Sequence, residues 1–187
     1  MPSTIPSTTK SNIVLLAKRL IKTRSYLGFS FQDIANEIGL KKASLHHHFP
    51  SKEMLGVEII QEMRSSFDDW SESISIVPEK KLDAYFKKFR DAVKVGEEMC
   101  PAGGLASAWS CVGEEMRFAA RDLRSAHIMF LTNAIAGINR QRTKKATNEL
   151  ASYVFSACQG GLISSRMTGR AEEFDLVIKH LRSTIYA

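Results

Sequence analysis

SFQDIANEIGLKKASLHHHFPSK, residues 30–52, has the pattern of two short helices joined by a sharp turn. Ser30 can accept a hydrogen bond from a free amide of the first helical turn, and Asp33 places negative charge at the positive end of that helix. Gly39 supplies the permissive backbone that a helix end or tight turn requires. Pro50 stops the second helix. The stretch therefore predicts a helix, a tight turn and a second helix in direct succession.

Apolar and polar positions are divided clearly within these two helices. In the second helix, which starts at about Lys42, Leu45 and Phe49 lie one turn apart and can anchor it to the first. Its other side chains point largely away from that anchor. The buried face of the first helix is formed by Phe31, Ile34, Ala35 and Ile38, which recur at helical spacing.

The positive charge of the chain lies near its N-terminus. The net charge is +6, and residues 1–52 hold eight Lys or Arg against two Asp or Glu, while the remainder is balanced. A basic segment joined to a neutral body is expected when the first part binds a polyanion, and nucleic acid is the first candidate. A membrane surface is a weaker candidate, because no segment approaches the roughly 20 apolar residues that cross a bilayer.

Composition limits the remaining classes. A chain of 187 residues with 44% hydrophobic residues suits one compact protein, or a small module fused to a larger one. The first twelve residues lack the apolar core of a secretory signal, so we expect a cytoplasmic protein. The three cysteines, Cys100, Cys111 and Cys158, have no short paired spacing, which argues against a disulfide framework and a zinc site.

Helical spacing continues along the whole chain. Apolar residues recur every three or four positions before residue 26, from 55 to 70, from 82 to 93, from 115 to 140, and in the two segments 147–167 and 171–185. A shorter helix is expected at 105–112, and no segment shows the alternation of a strand. The sequence therefore predicts an all-α fold of about nine helices.

Three consecutive pieces of residues 11–55 resemble the DNA-binding domain of the tetracycline-repressor (TetR/AcrR) family of bacterial regulators: SNIVLLAKRLIKTRS, FSFQDIANEIGL and KKASLHHHFPSKEML. QGGLISSRMTGRAEEFDLVIKHL, residues 159–181, is similar to the last two helices of the family, through which its members dimerise. Ser25 departs from the glycine common at its position, and Leu27 and Gly28 are extra residues before the second helix. The resemblance implies a flexible tail at 1–10, a helix-turn-helix DNA-binding domain at 11–52, and a ligand-binding and dimerisation domain at 53–187.

The resemblance implies a homodimeric repressor that reads a palindromic operator through the major groove and is released by an unknown small-molecule effector. An exposed helix fits the major groove, whose base edges distinguish all four base pairs. Near its start, Lys42, Ala43 and Ser44 are candidates for base contacts. The expected contacts with the DNA backbone are from His46, His47, Lys52 and Ser30.

The histidine run and the other candidates also have simpler interpretations. Successive helical residues project about 100° apart, so His46, His47 and His48 cannot all converge on one metal ion, and no metal or cofactor is expected. His48 is expected to pack against the first helix or cap a carbonyl. For Lys42 the alternative is a solvated surface lysine.

In the C-terminal body, the dimer interface is predicted at Val154, Cys158, Gly161, Leu162, Phe174 and Ile178, for which the alternative is an ordinary intrachain core. The effector pocket is predicted at Phe86, Phe89, Trp109, Met116, Phe130 and Asn133, which can also be simple core.

Three alternative functions remain at this point. A DNA-binding protein without a ligand would carry the same N-terminal domain. Cys100 could sense oxidants, although Glu97 and Glu98 disfavour the reactive thiolate. An enzyme using Cys100 and His127 lacks a recognisable orienting group, so no catalytic residues are assigned.

Overall fold

The computed structural model describes residues 9–74, 77–94, 103 and 105–187. These residues form eight α-helices and one 3-10 helix and contain no strand, which confirms the predicted all-α fold of about nine helices. None of these helices is both long enough and apolar enough to cross a membrane. In chain order the elements are α1 Thr9–Arg24, α2 Phe31–Ile38, α3 Lys42–His48, α4 Lys52–Ser73, α5 Pro78–Lys94, the 3-10 helix Ala106–Cys111, α6 Glu114–Ile138, α7 Lys144–Thr168 and α8 Glu172–Tyr186.

The described residues divide into two compact units. The first contains residues 9–63 with 103 and 105–120, and the second contains residues 64–74, 77–94 and 121–187. In the first unit α1 packs on α2, and α2 packs on α3. Eight of its described apolar side chains are completely buried: Ile13, Ala17, Ile34, Ala35, Leu45, Ile59, Ala108 and Met116.

The first unit is larger than the predicted DNA-binding segment 11–52. The thioether of Met116 lies so close to Gly56 that a Cβ added there would be 2.3 Å from its Cε. A Cβ added at Gly113 would similarly lie 2.3 Å from a carboxylate oxygen of Glu53. The start of α4 and residues near 113–116 are thus in van der Waals contact, which joins them in one unit. Contacts of this kind depend on residues about sixty positions apart and leave no local pattern.

The second unit is built around α5, α7 and α8, which pack against one another. Two ion pairs connect α5 to α8. Arg90 binds Asp175 through two nitrogens, at 2.5 and 2.8 Å, and Arg182 binds Asp83 at 2.6 Å. The earlier residue of α5 pairs with the later residue of α8, so the two helices run antiparallel.

Candidate nucleic-acid interface

The start of α2 is fixed by a reciprocal cap. The Ser30 hydroxyl oxygen accepts a hydrogen bond from the Asp33 amide at 3.3 Å, and the Asp33 carboxylate accepts one from the Ser30 amide at 2.6 Å. Hydrogen bonds from the side chain and backbone of Ser30 lower the pKa of Asp33. The end of α2 is at Gly39, whose φ of 69° is left-handed. Both the predicted start and the predicted turn are confirmed.

α3 is held on its inner side and free on its outer side. Leu45 is fully buried and Phe49 is 3% exposed, as expected for the anchor. Lys42, Ala43, His46 and His47 are exposed, whereas Ser44 and His48 are half-buried. The exposed side chains form the mostly polar outer surface of α3, while Leu45 anchors its inner side.

The histidines of α3 are in different environments. Nδ1 of His46 lies 3.2 Å from the Pro50 carbonyl oxygen, and its ring centroid is 5.0 Å from that of Phe31. Because a carbonyl can only accept, Nδ1 carries the proton, and Nε2 is left for a partner. The rings of His47 and His48 meet edge to face at 5.6 Å. Within the described ranges, no three His, Cys, Asp or Glu side chains are grouped to hold a metal ion.

Lys52 is turned toward its own domain. Its ammonium donates to the carbonyl oxygen of Tyr26 at 2.6 Å and to that of Phe29, and it lies 4.6 and 4.1 Å from the centroids of the two rings. Partial burial lowers the pKa of Lys52. The predicted contact of Lys52 with the DNA backbone stays a prediction, and the contacts seen here fix the loop at residues 25–29. The sequence signal for this loop-fixing role of Lys52 was the pair of aromatic residues, Tyr26 and Phe29, on either side of Leu27 and Gly28.

Many basic side chains of the first unit are already paired with acids. Lys10 binds Glu58 at 2.6 Å and Lys18 binds Glu62 at 3.0 Å. Arg19 forms an ion pair with Glu37. Lys41 and Lys42 are exposed and form no ion pair with any residue in the described part of the chain. Arg24, in the last turn of α1, is likewise exposed without an ion pair to a described residue, so the unneutralised positive charge lies at the start of α3 and the end of α1.

Comparisons with known proteins agree with this geometry. Residues 13–59 match the model of the family described as bacterial regulatory proteins, tetR family. The transcriptional regulator LmrA of Bacillus subtilis is 26% identical over 165 residues, covering 83% of this chain and 85% of LmrA. The repressor DhaR of a Mycobacterium species is 28% identical over 81 residues, covering 41% of each chain.

Two solved structures are similar over nearly the whole chain. A TetR transcriptional regulator from Legionella pneumophila has a TM-score of 0.86 and 28% identity, covering 95% of this chain and 97% of its own. A TetR-family regulator from Agrobacterium tumefaciens has a TM-score of 0.83 and 25% identity over the same shares. The chain is thus similar over nearly its whole length to TetR-family regulators, and its residues 13–59 match the model of that family. These similarities show a DNA-binding transcriptional regulator.

The predicted dimer residues lie mostly inside the second unit. Val154, Cys158 and Phe174 are fully buried, Gly161 is buried against the Phe174 ring, and Leu162 and Ile178 pack partly buried against the same core. The exposed side of α7 carries other residues at helical spacing. They are Tyr153, Ser156, Gly160, Ile163 and Met167, of which Met167 is 82% exposed.

The predicted effector residues fall in different places. Phe86, Phe89 and Phe130 belong to the core of the second unit, and Asn133 is exposed on α6. Met116 is fully buried in the first unit, where Trp109 is 41% exposed with the Arg117 guanidinium 6.0 Å from its ring. The structure thus brings three of the six together.

Sequence reasoning missed the polar centre of that core. The Tyr85 hydroxyl lies 3.1 Å from Nδ1 of His127, whose ring stacks on Phe67 at 3.8 Å. We name the surrounding rings the aromatic cluster, which consists of Phe67, Trp70, Tyr85, Phe89, His127, Phe130 and Phe155. The signal was a histidine among apolar residues at helical spacing in α6.

The cysteines occupy unlike positions. Cys100, with Glu97 and Glu98, lies outside the described residues, so the oxidant-sensing prediction stays untested. Cys111 is exposed. Cys158 is buried, and burial raises the pKa of its thiol to about 12, which keeps it protonated and unreactive.

Proposed function

We propose that this regulator is a homodimeric repressor that reads a palindromic operator with α3 in the major groove and is released by a small-molecule effector. The observation that carries the proposal is α3 itself, whose Leu45 is fully buried while Lys42, Ala43 and His46 face outward. A helix anchored on one side and polar on the other suits a major groove about 12 Å wide.

Each candidate DNA-binding residue has a distinct role in this proposal. Lys42 donates to guanine, Ser44 bonds a base edge, and the Ala43 methyl group contacts thymine. His46 and His47 contact phosphates, and His46 does so through Nε2 because Nδ1 is used by Pro50. The exposed Lys41 ammonium adds positive charge near the phosphates. Ser30 offers the amide end of α2 to the DNA backbone, with Lys52 holding the adjacent loop.

Dimerisation is proposed through the exposed faces of α7 and α8. On α7, Tyr153, Ile163 and Met167 are apolar and exposed, and a Cβ at Gly160 would meet nothing within 4 Å. A glycine on an exposed apolar face permits the close approach of a second helix. The residues predicted from the sequence, such as Val154, lie one helical face away and support this surface from below. Leu176 and Tyr186, 56% and 48% exposed, extend the apolar surface onto α8.

The effector response is supported by the chemistry of the second unit. The other five rings of the aromatic cluster surround a part-buried His127–Tyr85 hydrogen bond, and this mixture of apolar walls with a few polar groups is typical of ligand sites. A ligand that binds the DNA-incompetent form more tightly would shift the protein away from its operator. We propose that the protein has no enzymatic activity and that it acts in the cytoplasm, where its operator lies.

Genomic DNA selection with the purified protein tests the proposal directly. The expected result is a set of fragments that share a two-fold symmetric motif. Sequence-independent binding with log affinity falling linearly in log salt, and no preferred site, would refute specific regulation. Operator affinity that no compound in a broad small-molecule screen changes would favour a DNA-binding protein without a ligand.

Sedimentation at micromolar concentration tests the dimer. Ile163→Arg puts a charge on the proposed interface and is expected to give a folded monomer with weaker operator binding. Gln141→Arg, an exposed change in the turn before α7, is the control and should remain dimeric. A wild-type monomer, or a dimer that survives Ile163→Arg, would contradict the assignment of this face.

A further inference from the structure

The aromatic cluster contains a polar group that ordinary packing does not require. His127 is stacked on Phe67 at 3.8 Å and contacts Phe155 at 5.5 Å. Burying an imidazole among apolar rings is unfavourable unless its nitrogens find partners, and an apolar residue at this position would avoid that penalty. Nδ1 is satisfied by the Tyr85 hydroxyl at 3.1 Å. The histidine is therefore more polar than its packing role needs.

The other ring nitrogen of His127 is still available. Nε2 makes no hydrogen bond to any described residue. This nitrogen keeps some solvent-accessible surface, so a ligand can reach it. Burial, with the nearby charges of Lys88 and Arg64, lowers the pKa of His127 to about 3. At neutral pH the ring is uncharged, and Nε2 can donate or accept one hydrogen bond, depending on the tautomer.

Positive charge lies near the His127 ring. The Lys88 ammonium is 4.8 Å from the centroid of Trp70 and forms no ion pair with a described residue. The charge of Arg64 is offset by Asp68 and by Asp122, whose carboxylate is 3.2 Å from its Nε. Lys88 therefore lies on the aromatic cluster without a balancing carboxylate, as does Arg124, whose guanidinium is 5.7 Å from the centroid of Phe155. An ammonium on a ring face would be bound more strongly by a carboxylate than by the ring.

We propose that the aromatic cluster binds a planar aromatic carboxylate as the effector, an inference that rests on the ligand-responsive function proposed above. The ring of the ligand packs among Phe67, Trp70 and Phe155, its carboxylate pairs with the Lys88 ammonium, and Nε2 of His127 donates to a carboxylate oxygen. An aromatic cation would be repelled by Lys88. A neutral ring of the same shape would lack the ion pair.

A matched pair of probes tests the charge requirement. trans-Cinnamate and trans-cinnamamide have the same planar shape and differ in charge, and calorimetry with the full-length protein measures both at pH 7.5. Cinnamate is expected to bind at least tenfold more tightly and to weaken operator binding in an anisotropy assay. Lys88→Met should remove this preference. Lys87→Met changes the neighbouring exposed lysine, which pairs with Asp91, and should keep it.

His127→Phe tests the polar contact while keeping an aromatic ring. It should weaken the binding of both probes, and operator binding without a probe shows whether the variant is folded. Equal affinity of wild type for the two probes, or no binding of either, would overturn the inference. If the two probes bind equally and both release the operator, the carboxylate inference fails but ligand-responsive regulation is supported. If wild type without a probe does not bind an operator, the proposed function itself fails.

Discussion

Replacing Lys52 with Met distinguishes a lysine that holds the 25–29 loop from one that contacts DNA. Met keeps the apolar stem but removes the ammonium, which donates to the carbonyls of Tyr26 and Phe29 and lies over both rings. A hydrogen bond to a charged group contributes about 1.5–3 kcal/mol net, and a partly exposed cation–π contact about 0.5–1 kcal/mol.

The desolvation that lowers the pKa of Lys52 opposes these gains. The side chain is partly exposed to solvent, which also reduces these gains, so we expect Lys52→Met to lower the free energy of unfolding by about 2–3 kcal/mol. For a chain of this length each kcal/mol lowers the midpoint of thermal unfolding by about 2–4 °C. Circular dichroism should therefore show a decrease of about 4–12 °C. Lys41→Met, an exposed change, should stay within about 0.5 kcal/mol of wild type.

Operator affinity measured against salt gives the second readout. Each lost phosphate contact reduces the slope of log affinity against log salt by about 0.9, so a dimer losing two contacts would lose about 1.8. If Lys52 acts within its own domain, the slope stays the same. An unchanged midpoint together with a slope smaller by nearly two would refute the role assigned here and restore the direct DNA contact.

Four further variants test the first unit. Ser25 has a φ of 63°, a backbone conformation that strains a residue with a Cβ by about 1 kcal/mol. Ser25→Gly relieves this strain by more than it adds to the entropy of the unfolded chain, so urea unfolding should show a free energy of unfolding higher by about 0.5 kcal/mol. A loss of stability would contradict this. Gly28→Ala places a Cβ 1.9 Å from the Arg24 carbonyl oxygen and should lower the free energy of unfolding by about 2 kcal/mol or more. In Gly39→Ala the added Cβ meets no atom within 4 Å, so the loss should be about 1 kcal/mol, caused by the positive φ alone. The pKa of Asp33 is lowered by folding, so its contribution is complete above pH 3.8 and is lost as the pH falls further. Wild type should therefore lose more stability between pH 5 and pH 3 than Asp33→Asn, and equal losses would exclude this source of acid sensitivity.

Local chemistry made much of the N-terminal region predictable. The caps at Ser30 and Gly39 and the stop at Pro50 involve residues no more than a few positions apart, and the structure confirms them. The outward face of α3 followed from its anchor, Leu45. Lys52 differs because its partners are 23 and 26 residues earlier in the chain. Spacing along one helix contains no information about such a contact.

The proposed dimer face shows a second limit of sequence patterns. α7 is apolar on more than one side, so its periodicity allows either Val154 or Tyr153 to face the intrachain core. The partners decide between them: Phe174 of α8 packs against Gly161, and this turns the Val154 side inward and leaves Tyr153 and Ile163 exposed. His127 was similarly ambiguous, because its role depends on Tyr85, 42 residues away.

Charge counted along the chain is not charge presented to DNA. The excess of Lys and Arg in residues 1–52 suggested a basic surface that included the first helix. In the folded unit Lys10 and Lys18 of α1 meet Glu58 and Glu62 of α4, which the count had assigned to the balanced part of the chain. Neutralised pairs of this kind contribute little to counterion release, because their positive charge is already balanced before DNA arrives. Non-specific affinity is thereby reduced more than the base reading proposed for α3, and a regulator that must find one operator among many competing sites benefits from that difference.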